Sequence, residues 1–140
     1  MKYEIDMLQG AVRNRLRKGD NMNREEMKEV VLDYVNKNNM VSYAELQWLF
    51  EQKDYDYKGD VMSCSEVCEH VVFWSGWNED TYNMMGELMQ EGLIHREPTT
   101  FFTYLIDGAA LSFPIVKKAI MYKTDHWLPT VFCKGKDTTL

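Results

Sequence analysis

Trp77-Asn78-Glu79-Asp80-Thr81-Tyr82-Asn83-Met84-Met85-Gly86-Glu87-Leu88-Met89-Gln90-Glu91-Gly92-Leu93-Ile94 is the stretch on which the architecture turns. Asn78 is the residue type that caps a helix by accepting a hydrogen bond from the first turn, and Glu79 and Asp80 complement the positive end of the helix dipole. Tyr82, Met85, Leu88 and Met89 recur at helical spacing and are expected to form the buried stripe, with Met84 at its border. Gly92 supplies the left-handed residue that ends such a helix, and Leu93-Ile94-His95-Arg96 opens a strand. The outer face is then Glu79, Asp80, Asn83, Gly86, Glu87 and Gln90.

Upstream, Asn23 and Glu26 have capping-box spacing before Met27, Val30, Val31, Tyr34 and Val35, an i, i+3, i+4, i+7, i+8 series that predicts a helix ending at Asn36-Lys37-Asn38-Asn39. Met40-Val41 supplies a short strand. Ser42 and Glu45 repeat the capping box and open a helix to about residue 53, whose Ala44, Leu46, Trp48, Leu49 and Phe50 are apolar on more than one side. Residues 54–60 read as a polar, tyrosine-rich loop. Their Asp-x-Asp-x-x-Gly order resembles a calcium loop, but Lys58 and Ser65 stand where acidic ligands are required. Ser63-Cys64-Ser65-Glu66 is expected to start another short helix with Cys64, Val67, Cys68 and Val71 inward, followed by an aromatic junction at 73–77.

Downstream, Pro98-Thr99-Thr100 reads as a turn, 101–106 as a strand and Asp107-Gly108 as a hairpin turn. A strand over 111–116 and a final hairpin around Thr124-Asp125-His126, pairing 120–122 with 127–133, complete the expectation. Residues 1–21 form a basic arm or short helix, 22–133 a single domain and 134–140 a frayed tail.

The chain has 140 residues, 45% of them hydrophobic, enough for one self-sufficient core. No apolar run reaches the roughly 20 residues that cross a bilayer, and the N-terminus carries charges where a signal peptide is apolar, so a cytoplasmic protein without membrane contact is expected. Cys64, Cys68 and Cys133 form no disulfide framework. They also lack the paired knuckles of a zinc site, and His70, His95 and His126 are scattered, so neither metal nor cofactor is expected.

The net charge of −6 is unevenly placed: residues 1–44 carry eight basic and seven acidic groups, 45–97 three and twelve, and 98–140 five and three. A middle third of that sign repels phosphate and attracts cationic partners.

Helix, short strand, helix, spacer, capped helix and a strand beginning Gly92-Leu93-Ile94 resemble the winged helix-turn-helix superfamily over residues 23–116. The resemblance implies an α+β fold: a winged helix-turn-helix with an N-terminal helical arm and an extended C-terminal β-hairpin region. In that family the last helix reads the major groove and the wing touches the backbone. Carried onto this chain, the groove-facing positions are Glu79, Asp80, Asn83 and Glu87, and the wing tip is 98–100 or 107–108. Carboxylates there meet phosphates unfavourably, and Asn83 alone suits base reading. The Lys-, Asn-, Met- and Tyr-rich composition also resembles small proteins of Gram-positive phages and genomic islands.

No nucleophile–base pair or phosphate loop stands out, so a non-enzymatic module is expected. The leading expectation is an accessory or inhibitory factor of a mobile element that docks on a protein partner through Glu79, Asp80, Asn83, Met84 and Glu87, with Tyr55 and Tyr57 as aromatic anchors. The alternative is a replication or transcription factor that binds nucleic acid through its basic ends, with Arg13, Arg15, Arg17 and Lys18 joined by Lys117 and Lys118.

Overall fold

A computed structural model describes residues 22–137. The order of elements is α1 (Arg24–Asn38), β1 (Val41–Ser42), α2 (Tyr43–Gln52), β2 (Lys58–Cys64), β3 (Val71–Trp77), α3 (Glu79–Gln90), β4 (Ile94–Pro98), α4 (Phe101–Asp107), β5 (His126–Trp127) and β6 (Thr130–Lys134). Among the described residues the class is α+β, with four helices and two small sheets. The three capping signals act as read: Asn23 accepts from the Glu26 N–H, Ser42 from the Glu45 N–H and Asn78 from the Thr81 N–H.

In one sheet the order is β1-β6-β4, antiparallel throughout, with Val41 opposite Phe132 and His95 opposite Cys133. The other has the order β2-β3-β5: β2 and β3 form an antiparallel hairpin, and β5 joins β3 in parallel. Tyr43 ties the two together. Its ring stacks on Trp74 at 5.7 Å and meets Trp77 and Phe132 edge-on at 5.2 and 4.9 Å. Buried Met27, Val31, Tyr34 and Val35 of α1, Leu46, Leu49 and Phe50 of α2, and Met84, Met85 and Leu88 of α3 extend the same core. The apolar residues on several sides of α2 are thereby covered.

Several expectations are corrected. Residues 63–71 do not start a helix: Cys64 ends β2, and Ser65, instead of capping, accepts the N–H groups of Val67 (3.1 Å) and Cys68 (3.5 Å) in a turn. Val67 consequently points outward, 82% exposed. The 73–77 stretch belongs to strand β3, which buries Val72, Trp74 and Trp77.

Residues 101–107 are helix, not strand. Tyr104 is fully buried, its hydroxyl donating to the Thr130 carbonyl at 2.6 Å and accepting the Tyr43 N–H at 3.1 Å, while Gly108 at φ +88° ends the helix. The expected turns at 98–100 and 107–108 are therefore not a wing tip, because β4 and β6 are joined by the whole of 99–129.

The final hairpin is absent as well: β5 and β6 belong to different sheets. Nor does a tail begin at 134, since Lys134 closes β6 and the Gly135 N–H donates to the Leu93 carbonyl at 2.8 Å. The basic arm expected over 1–21 lies outside the described residues. Among the described residues, no helix is long and apolar enough to cross a membrane.

Candidate functional site

Asp80 and Glu87 of α3, with Glu91 just past its end, face α1, where Arg24 and Lys28 lie one helical turn apart. The Arg24 Nε meets Asp80 Oδ1 at 3.0 Å and its terminal nitrogen contacts Glu87, while Lys28 Nζ reaches Glu87 Oε1 at 3.1 Å and Glu91 Oε1 at 2.8 Å. The hydrogen bond from Arg24 holds the Glu87 carboxyl below its ordinary range, and those to Glu91 and Glu87 push Lys28 up. This is a clamp between two helices. Of the expected docking residues, Asp80 and Glu87 are its members, and Glu79 and Asn83 remain exposed.

Three of the expected docking residues are corrected outright. Met84 is fully buried because the apolar stripe runs through Thr81, Met84, Met85 and Leu88, rotated from the expected one, with Tyr82 and Met89 at its margin. Tyr55 and Tyr57 pack on Phe50 at 5.5 and 5.4 Å, and the Tyr57 hydroxyl donates to Glu51 at 2.6 Å. They belong to the core edge and are not available as anchors.

Lys117 and Lys118 are exposed on the irregular segment between α4 and β5. Both of their backbone N–H groups donate to the Tyr122 hydroxyl at 3.0 Å, and Tyr122 stacks on His126 at 3.9 Å. Arg13, Arg15, Arg17 and Lys18, expected to join them, lie outside the described residues. The two lysines instead border an open groove of about 530 Å³ whose walls are Val67, Val71, Val116, Ile120, Met121 and Leu128. Val67, Ile120 and Met121 are 82, 55 and 67% exposed, so the groove is lined by aliphatic surface in contact with water. Among the described residues no aromatic ring lines it.

Two histidine clusters stand apart from the groove. His70 Nδ1 lies 2.9 Å from Asp125 Oδ1, and its Nε2 faces Glu69 at 3.8 Å. The nearby Cys64 thiol is pushed up by burial and by the Asp125 charge, the reverse of what activates a nucleophile. On the other sheet His95 and Cys133 are directly opposed, and Glu97 follows His95 on the same strand face. His95 Nδ1 is 3.0 Å from the Gly135 carbonyl and its Nε2 2.6 Å from Glu97 Oε2.

Sequence reasoning missed the groove and this cluster for one reason. Both are assembled from segments distant in sequence, the groove from residues 65–71 and 116–128 and the cluster from β4 and β6, and no short-range pattern marks either. A comparison of the chain with protein-family models, curated proteins and solved structures finds no match.

Proposed function

We propose that the chain is a non-enzymatic interaction module of winged-helix type that binds an acidic amphipathic segment of a protein partner in the groove beside Lys117 and Lys118. The winged-helix part of this reading is supported by α1, β1, α2, α3, β4 and β6 following one another in that family's order, with the β2–β3 hairpin and the 99–127 segment as insertions. The strand order β1-β6-β4, in which the last strand closes between the other two, fits the same scheme.

The observation that carries the docking reading is the groove itself, an aliphatic trough with exposed Val67, Ile120 and Met121 and two cations on one rim. Contiguous exposed apolar surface rimmed by polar groups marks interaction sites. Residues 98–140 hold five basic against three acidic groups, which favours carboxylates on the occupant. Nucleic acid fits less well, since no ring among the described residues lines the walls for base stacking.

The test uses two synthetic amphipathic peptides with one apolar face in common, carrying Glu or Lys on the other, and a single-stranded oligonucleotide as third probe. The Glu peptide should shift the methyl resonances of Val67, Val71, Ile120 and Met121. Lys117→Glu combined with Lys118→Glu should weaken it about tenfold. Preference for the Lys peptide or the oligonucleotide, or methyl resonances that neither peptide moves, overturns the reading.

A further inference from the structure

We infer that His95, Glu97 and Cys133 form a binding site for a zinc-like divalent metal ion, with an open fourth position. The inference rests on the sheet β1-β6-β4 and is independent of the groove. Strand pairing sets His95 opposite Cys133 on adjacent antiparallel strands, and Glu97, two residues beyond His95, projects to the same face. One imidazole nitrogen, one sulfur and one carboxylate oxygen then lie within 4.8 Å of one another.

Ligands of a tetrahedral centre, at Zn–N and Zn–O of about 2.0–2.2 Å and Zn–S of about 2.3 Å, are separated by about 3.3–3.8 Å. At no more than 4.8 Å apart, the three atoms need to close by at most about 1–1.5 Å to reach that spacing. β4 is an edge strand and the Glu97 side chain is 51% exposed, so an ion can enter from solvent, whereas Cys133 is buried and fixes the inner end.

A second observation is the orientation of the imidazole. Nδ1 is held by the Gly135 carbonyl at 3.0 Å, an acceptor, so Nδ1 carries the proton and donates. Nε2 is left to face the Glu97 carboxylate at 2.6 Å, acceptor against acceptor, a contact that only a proton or a cation between them makes favourable. A histidine that ligates metal through one nitrogen while the other donates to a backbone carbonyl is the arrangement that fixes tautomer and ring plane. The donor set selects the ion: thiolate with imidazole favours borderline metals such as Zn²⁺ and Co²⁺ over Mg²⁺ or Ca²⁺. The charges balance, since one carboxylate and one thiolate neutralise a divalent cation, the thiol releasing its proton on binding.

The test is titration of the full chain, stripped of metal, with Co²⁺ and then Zn²⁺. One equivalent of Co²⁺ should give a thiolate-to-cobalt charge-transfer absorption, which Zn²⁺ then displaces. Cys133→Ser should abolish the band, while Cys64→Ser and Cys68→Ser should leave it. Glu97→Gln alters a half-exposed side chain that leaves the fold standing, and should weaken binding at least about tenfold. No charge-transfer band, a band that survives Cys133→Ser, or His95 ring resonances that Zn²⁺ does not move, as expected if only a proton lies between His95 and Glu97, overturns the inference.

Discussion

Gln47 holds two indoles with a single oxygen. Its Oε1 accepts the Trp74 Nε1–H at 2.8 Å and the Trp77 Nε1–H at 2.9 Å, so two large buried rings have their only polar atoms satisfied by a side chain reaching from α2 to β3. A buried donor left without a partner costs about 1–3 kcal/mol. Gln47→Leu should therefore lower the unfolding free energy by about 2–6 kcal/mol, summing two such losses, measured as a fall in the urea midpoint at unchanged slope. Gln47→Glu keeps an acceptor for both indoles and should lose distinctly less. Asn78 is a second residue of this kind: it accepts from the Thr81 N–H at 2.8 Å and the Thr81 hydroxyl at 2.6 Å, and donates to the Asp56 carbonyl at 2.9 Å. Asn78→Ala should cost about 1–2 kcal/mol in the same measurement, the range for a lost cap, whereas Asn78→Asp, which retains the cap and not the donor, should cost less.

α4 is the element in which local preference and tertiary structure disagree most. Phe101, Phe102 and Ile106 favour strand, and all three remain exposed, as does Leu105. The helix is instead held from one side by Tyr104, with its two hydrogen bonds, and by Asp107, whose carboxylate accepts from the Ser42 hydroxyl at 2.7 Å. Tyr104→Phe should thus cost about 1–3 kcal/mol by stranding the Tyr43 N–H and the Thr130 carbonyl. Phe102→Ser and Ile106→Ser should each stay within about 0.5 kcal/mol despite removing larger apolar groups; chemical denaturation of the three variants side by side decides this.

The same distinction explains what the sequence made legible. The three capped helices were readable because a cap, an apolar stripe and a breaker are all local, as in Asn23 with Met27, Val30 and Val31, or Asn78 with Leu88 and Gly92. The β2–β3 hairpin was not, because Ser65 can cap a helix or close a turn and only the pairing of 58–64 with 71–77 selects the turn. The candidate sites were legible least. The groove needs the turn at Val67 to meet the irregular segment at Met121, and the metal cluster needs His95 and Cys133 set opposite by strand pairing, and no short-range pattern encodes either.

Across the whole molecule the acidic middle third is balanced from α1. Arg24 and Lys28 lie outside that segment in sequence, yet they face Asp80, Glu87 and Glu91, so much of the charge that looked available to a partner neutralises a helix–helix contact. The pH dependence follows from the direction of the shift. Glu87 titrates below its ordinary 4.5 when folded, chiefly through its hydrogen bond with Arg24, so the unfolded chain binds its proton first as pH falls. The stability it contributes is complete above that ordinary value and is lost as the pH drops through the depressed one. Lys28, raised above 10.5, bounds the same contact on the alkaline side. Replacing Arg24 by Met should therefore lower the urea midpoint by a constant amount through the neutral range. That difference should shrink below about pH 4.5, where the wild-type carboxylate is also neutralised. The carboxylates involved are 42 to 63% exposed, and high salt should diminish the same difference. A difference between wild type and Arg24→Met that is independent of both acid and salt would mean that Arg24 acts by packing its stem and not by its charge.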